Sequence, residues 1–188
     1  MTIFDVHTPE TAPEQSRETM AAVAGKFGFM PNIYGIFAES PAVIKAYVSL
    51  GNLLGDTSFT PGEQQLMLLT ISAANGCDYC VAAHTIAGNK FKLDQQAIDA
   101  VRQGAPIDDA RLSALHGFAK LIVESRGNVS AGDVDAFIIA GFTKEQALEV
   151  VLATALKTMS NYINHFAETP LDDAFAKAAW EAPMAYVA

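Results

Sequence analysis

Cysteine is scarce in this sequence, with two residues in 188. One pair three positions apart excludes a disulfide-stapled framework. Basic charge is scarce too: 12 Lys and Arg against 21 Asp and Glu leave a net charge of -9, with no basic cluster. Nucleic acid and anionic membrane surfaces are therefore poor partners. Long hydrophobic runs are missing, since polar residues break every run well before the ~18 positions a membrane-spanning helix needs. The opening Met1-Thr2-Ile3-Phe4-Asp5 lacks a basic region followed by an apolar core, so no export signal is expected. A cytoplasmic dithiol is the expectation for the cysteine pair. Charged residues make up only 18% against 51% hydrophobic. That balance excludes disorder and exceeds what a small monomer needs, so some helix surface is expected to be buried in a homo-oligomer.

Sustained strand alternation is also absent; helix punctuation is there instead. A short apolar pattern through Met20, Val23 and Phe27 is closed by Gly25 and Gly28, and Pro31 opens a segment to Ala38. Ser40-Pro41 starts a helix that ends near Gly55, with serine as N-cap and proline in the first turn. Thr60 with Glu63 forms a capping box ahead of a nearly all-apolar stretch, Leu66 to Ala74. Asn75-Gly76 breaks the chain, and a new helix runs from about Cys77 to Gly88. Asp94 caps the next, to about Gln103. Asp108 or Asp109 caps one from Ala110 to about Ser125. Ser130 starts a short one, and Thr143 starts the longest, to about Ala167. The tail from Pro170 is partly helical. The fold class is all-α, one domain over 1–188 with about eight to ten helices. A weak echo between Thr60…His84 and Thr143…His165 suggests two related halves.

The chemistry concentrates at Asn75-Gly76-Cys77-Asp78-Tyr79-Cys80-Val81-Ala82-Ala83-His84. On a helix, positions 77, 80 and 84 fall within an arc of roughly 60°. Cys77 lies next to a helix N-terminus, where unpaired N–H groups favour thiolate. The i, i+3 spacing suits a disulfide. His84, four residues after Cys80, is placed to take the thiol proton or to stabilise the thiolate as a cation. This is a thiol redox pattern. Zinc needs four ligands, and His116, His165 or Asp78 would have to complete the set. Glu63 is the carboxylate candidate for acid–base work, although the capping box explains it equally well. Tyr79 either donates a hydrogen bond or packs. Asn161, Asn164 and His165 are polar positions in an apolar helix; if that helix crosses the site, His165 or Asn161 would line the same pocket, and otherwise they satisfy a helix end or face a subunit boundary.

Taken together, Phe59-Thr60-Pro61-x-Glu63-Gln64-Gln65…Asn75-Gly76-Cys77-x-Tyr79-Cys80-x-x-x-His84 resembles the AhpD-like alkylhydroperoxidase core of the carboxymuconolactone decarboxylase superfamily. Gly28-Phe29-Met30-Pro31-Asn32 with Ser40-Pro41-Ala42, and Asn161-Tyr162-Ile163-Asn164-His165, extend the likeness to residues 20–172. The resemblance implies a helical bundle assembled as trimers or hexamers. It implies peroxidase or disulfide reductase activity on hydroperoxides, without haem, flavin or metal, using an external dithiol reductant. Cys80 would be activated through His84 and attack the peroxide. Cys77 would resolve the sulfenic acid, and a glutamate would complete the relay. The usual position of that glutamate is Gln65 here; Glu63 matches a longer subgroup. The alternatives are a decarboxylase-like enzyme on a small acidic compound, using His84 and Glu63, and a zinc- or partner-binding scaffold.

Overall fold

A computed structural model describes residues 3–186. Among them the chain forms nine α-helices, two short 3₁₀ turns and no strand, the all-α architecture expected. The helices are α1 (Glu14–Phe27), α2 (Asn32–Phe37), α3 (Pro41–Gly55), α4 (Pro61–Ala74), α5 (Asp78–Lys90), α6 (Gln95–Gln103), α7 (Ala110–Glu124), α8 (Ala131–Ile139) and α9 (Lys144–Ala167). The 3₁₀ turns span Asp173–Ala178 and Met184–Tyr186.

The start signals do what their chemistry allows. The side chains of Ser40, Asp94 and Asp109 accept the N–H three residues on. Thr60, Ser130 and Thr143 form complete capping boxes with Glu63, Asp133 and Gln146. Each cap satisfies a donor that the helix itself leaves open. One stop signal differs. The first helix passes through Gly25 and ends at Gly28, whose φ of +80° is the left-handed conformation that closes a helix. A mid-helix glycine costs only about 1 kcal/mol, too little to stop a helix. The echo between the two stretches is not a repeated unit. The first folds as two helices broken at Asn75-Gly76, the second as one unbroken helix.

Helix α4 is the axis of the bundle. Every residue from Leu66 to Ala73 is buried, because α5, α6, α7 and α9 pack around it. The larger apolar cluster gathers α4, α6, α7 and α9 around Leu69, Ile98, Leu115 and Val150. A smaller one, with Met20, Ile33, Phe37 and Ile44 from α1 to α3, takes in Cys77, Tyr79 and Cys80. The cysteines thus sit buried between the N-terminal helices and the bundle.

The N-terminal segment closes over this cluster at Gly35. A Cβ there would lie 2.7 Å from Val6 Cγ1 and 2.9 Å from the His7 carbonyl oxygen. Backbone must move to admit it. Gly35→Ala is therefore expected to destabilise the fold by about 1–3 kcal/mol, read as a lower urea midpoint at unchanged slope. An unchanged midpoint would show that the segment does not pack there in solution.

Candidate active site

The break that creates the site is a helix stop read in detail. Gly76 has φ +68°. Its N–H donates to the Ala73 carbonyl at 3.0 Å, and the Cys77 N–H donates to the Ser72 carbonyl at 2.9 Å. This paired closure uses up the last carbonyls of α4 and turns the chain back on itself. Cys77 is then the N-cap of α5, and its carbonyl accepts the Val81 N–H at 3.0 Å. One residue therefore ends one helix and begins the next. Tyr79, the second residue of α5, donates its hydroxyl to Asp172 and accepts the Ile33 N–H. It ties the site helix to α2 and to the chain beyond α9.

Cys77 and Cys80 are both free and both buried. Their surroundings come largely from α9, which crosses them. The Asn164 Nδ2 donates to both sulfurs, 3.2 Å from Cys80 Sγ and 3.6 Å from Cys77 Sγ. Ser160 Oγ lies 3.9 Å from Cys80 Sγ. Lys157, only 1% exposed, donates from Nζ to His84 Nε2 at 3.0 Å, and its ammonium is the positive charge that acts on Cys80. The other ring nitrogen, Nδ1, is 2.9 Å from Gln65 Oε1. An amide oxygen only accepts, so Nδ1 carries the hydrogen and Nε2 is the acceptor.

These contacts separate the two thiols. Burial pushes the Cys80 thiol up, but the hydrogen bond from Cys77 and the Lys157 ammonium outweigh it and bring it down to about 5. The Cys77 thiol is pushed far up, first by its hydrogen bond to Cys80 and then by burial. The expectation that the helix terminus makes Cys77 the thiolate is thus reversed: donating to its neighbour holds the proton on Cys77. His84 is held well below its usual range by burial and by the Lys157 charge. It is a neutral imidazole, not the cation the spacing alone suggests. The cation beside the thiolate is Lys157, itself held protonated by Cys80 against its own burial.

Glu63 is not brought to the thiols. Its Oε2 accepts from the Thr60 N–H and hydroxyl, each at 2.9 Å, and its Oε1 from Arg111 Nε at 2.8 Å. Arg111 in turn lies 3.9 Å over the Phe142 ring. Burial pushes the carboxyl up, and the Thr60 and Arg111 bonds hold it below its usual value all the same. The cause is helical phase. Residues 63 and 65 are ~200° apart around α4, so if Gln65 meets His84, Glu63 faces α7. His116 bonds to Thr70, and no group of three or more His, Cys, Asp or Glu among the described residues is arranged to hold a metal.

Asn161 and Asn164 do join the site: the Asn161 Oδ1 accepts from Asn75 Nδ2 at 2.9 Å, tying α9 to the break. His165 is exposed and stands outside the thiols, in the wall of a neighbouring cavity. Lys157 and Ser160 escaped sequence reasoning, although a signal exists. Lys157 is the one Lys, Arg, Asp or Glu between Glu149 and Glu168, and positions 157, 160, 161 and 164 share one helix face.

Residues 41–120 match the model of the Carboxymuconolactone decarboxylase family. Among solved structures, an alkylhydroperoxidase AhpD core from Ralstonia eutropha JMP134, an uncharacterized peroxidase-related protein, superposes with a TM-score of 0.82 at 27% identity, covering 93% of this chain and 94% of that one. An uncharacterized peroxidase-related protein from Silicibacter sp. TM1040 gives 0.79 at 20% identity, covering 93% of each chain. The debrominase Bmp8, solved with 2,3,4-tribromopyrrole, gives 0.78 at 16% identity over 95% and 96% of the two chains; at that identity the likeness is one of fold. No curated protein matches the chain.

Proposed function

We propose that this chain is an AhpD-like thiol-dependent peroxidase that spends a dithiol to reduce hydroperoxides, a reading supported by the family match over residues 41–120 and the superposition on the AhpD core. The observation that carries the reading is the buried Cys80 sulfur beside a buried lysine, with one Asn164 amide bonded to both the Cys80 and Cys77 sulfurs. A thiolate is the form of cysteine that attacks peroxide.

The Cys80 thiolate attacks the terminal peroxide oxygen. The O–O bond breaks, Cys80 becomes a sulfenic acid, and the alkoxide takes a proton from the Lys157 ammonium and leaves as an alcohol. The Cys77 thiol then attacks the sulfenic sulfur. Its proton and the hydroxyl leave as water, with Lys157 as the carrier, and a Cys77–Cys80 disulfide remains. Lys157 is then neutral, and its thiolate partner has gone. An external dithiol returns two electrons and two protons, restoring the Cys77 thiol and the Cys80–Lys157 ion pair. His84 accepts from Lys157 throughout and is pinned by Gln65, so its part is to aim the amine. Glu63, both oxygens occupied, serves the helix cap.

The apolar stripe of α9 that faces solvent, Leu148, Val151, Tyr162 and Phe166, supports the expected homo-oligomer. Over 18 residues it is ~27 Å long, enough for a helix-wide interface. Among the described residues no helix is long and apolar enough to cross a membrane, which is compatible with the cytoplasmic location proposed for the enzyme.

The test is consumption of cumene hydroperoxide or hydrogen peroxide at the expense of a dithiol. The purified protein is expected to turn over repeatedly, and Cys80→Ser not at all. Turnover that persists in Cys80→Ser would sink the reading. An activity on a lactone carboxylate that survives loss of both thiols would replace it with the decarboxylase alternative.

A further inference from the structure

Beside the thiols lies a cavity of about 620 Å³, a size suited to a small organic ligand. The start of α5, the end of α9 and the tail line it, and it opens to solvent. Gly76 and Asp78, the residues on either side of Cys77, are both in its lining. So is Asn164, whose Nδ2 donates to the two sulfurs. Asn164 is thus the side chain that stands between the cavity and the dithiol.

Its chemistry is one-sided. Asp78, Glu168 and Glu181 line it with one imidazole, His165, and no Lys or Arg does. Arg102, the guanidinium of the adjoining tail contact, is spent on the carbonyls of Ala178 and Ala179 and on the Thr85 hydroxyl. Trp180 adds a flat apolar wall, fixed by its Nε1–H to the Arg102 carbonyl at 2.8 Å. The lining also holds two buried oxygens without a hydrogen-bond partner, Asn164 Oδ1 and Thr169 Oγ1. Asn164 is 6% exposed. A buried amide oxygen left open costs free energy that an N–H or O–H donor from a ligand would recover.

We propose that this cavity docks the electron donor, and that it selects a small dithiol carrying a protonated amine. The proposal rests on the redox reading of the site. The donor thiolate attacks Cys77 Sγ, forming a mixed disulfide and expelling Cys80 as thiolate. Attack at that end follows from two facts. Both chain neighbours of Cys77, Gly76 and Asp78, line the cavity, and the sulfur with the lower proton affinity is the better leaving group. The first donor proton goes to the neutral Lys157 amine, which becomes the ammonium facing Cys80. The second donor thiol then attacks the mixed disulfide. The donor leaves as its own disulfide, and the remaining proton goes to Cys77. The ammonium of the donor meanwhile faces Asp78 and Glu181 and donates toward the open oxygens.

The test needs no peroxide. The disulfide is formed with diamide, and its re-reduction is followed by thiol counting after acid quench. Three probes are compared at low salt: 2-amino-1,4-butanedithiol, dithiothreitol and meso-2,3-dimercaptosuccinate, each rate corrected for its thiolate fraction. The cationic dithiol is expected to react roughly fivefold faster than dithiothreitol, with the anionic one slowest. Its advantage should vanish in the Asp78→Asn/Glu181→Gln double variant and shrink with added salt. Equal corrected rates, a preference that survives in the double variant, or failure of diamide to join Cys77 to Cys80 would overturn the proposal. Cationic selectivity in a protein that shows no peroxide turnover would leave this site standing and remove the peroxidase reading alone.

Discussion

Lys157→Met is expected to slow the reaction of Cys80 with hydrogen peroxide or iodoacetamide at least about tenfold at pH 7. A thiol brought down to about 5 is almost entirely thiolate at neutrality. Without the ammonium, burial dominates, and the thiol returns to or above its ordinary ~8.5, where only roughly 3% is ionised at pH 7. The pH profile carries the sign. In the parent protein the rate should fall only as pH drops through about 5; in the variant it should still be climbing above ~8. Stability should follow the same linkage. A group that ionises more readily folded than unfolded stabilises the fold fully above its unfolded value. That stabilisation is lost as pH falls through the folded one. For Cys80 the window runs from ~8.5 down to about 5, so thermal melts of the parent should drop across it more steeply than those of Lys157→Met. Methionine has nearly the volume of the lysine stem, and replacing a buried ion pair with apolar groups is commonly tolerated, so the variant should fold. An unchanged rate and profile would show that Lys157 is a packing residue only.

Cys77→Ser should separate the two halves of the reaction. It is expected to lose steady-state turnover on the order of a thousandfold, yet to consume one equivalent of peroxide. It should stop with Cys80 one oxygen heavier, trapped as the sulfenic acid and reactive toward dimedone. Cys80→Ser should show neither event. The asymmetry follows from the opposite displacement of the two thiols, down at Cys80 and up at Cys77. The reverse pattern, a trapped oxygen on Cys77, would exchange their roles.

What the sequence disclosed follows the range of each interaction. Helix starts depend on contacts three residues long, so Ser40, Thr60, Asp94 and Ser130 could be read directly. The pairing of Cys77, Cys80 and His84 is likewise one turn of helix. The environment that decides their protonation arrives from 73 to 87 positions away, through Lys157, Ser160 and Asn164. No local pattern reports it. Asn164 could be flagged as polar in an apolar run, but its two sulfur contacts depend on how α9 crosses α5. Glu63 misled for the same reason: its cap bond was legible, while Arg111, 48 residues on, was not. The charged neighbour of the thiols, Lys157, comes from α9, while the α4 side chain that meets His84 is the neutral Gln65. The amide at 65 orients the imidazole without being able to take its proton.

Trp180 offers an optical consequence. It is the one tryptophan in the chain, only 8% exposed, with its ring 6.0 Å from that of Tyr186 and its face in the wall of the cavity beside Cys77. Excited at the red edge, where the five tyrosines do not absorb, the protein emits from a single fluorophore in the wall of that cavity. Occupancy of the cavity should therefore shift the protein's own spectrum, with no label to attach.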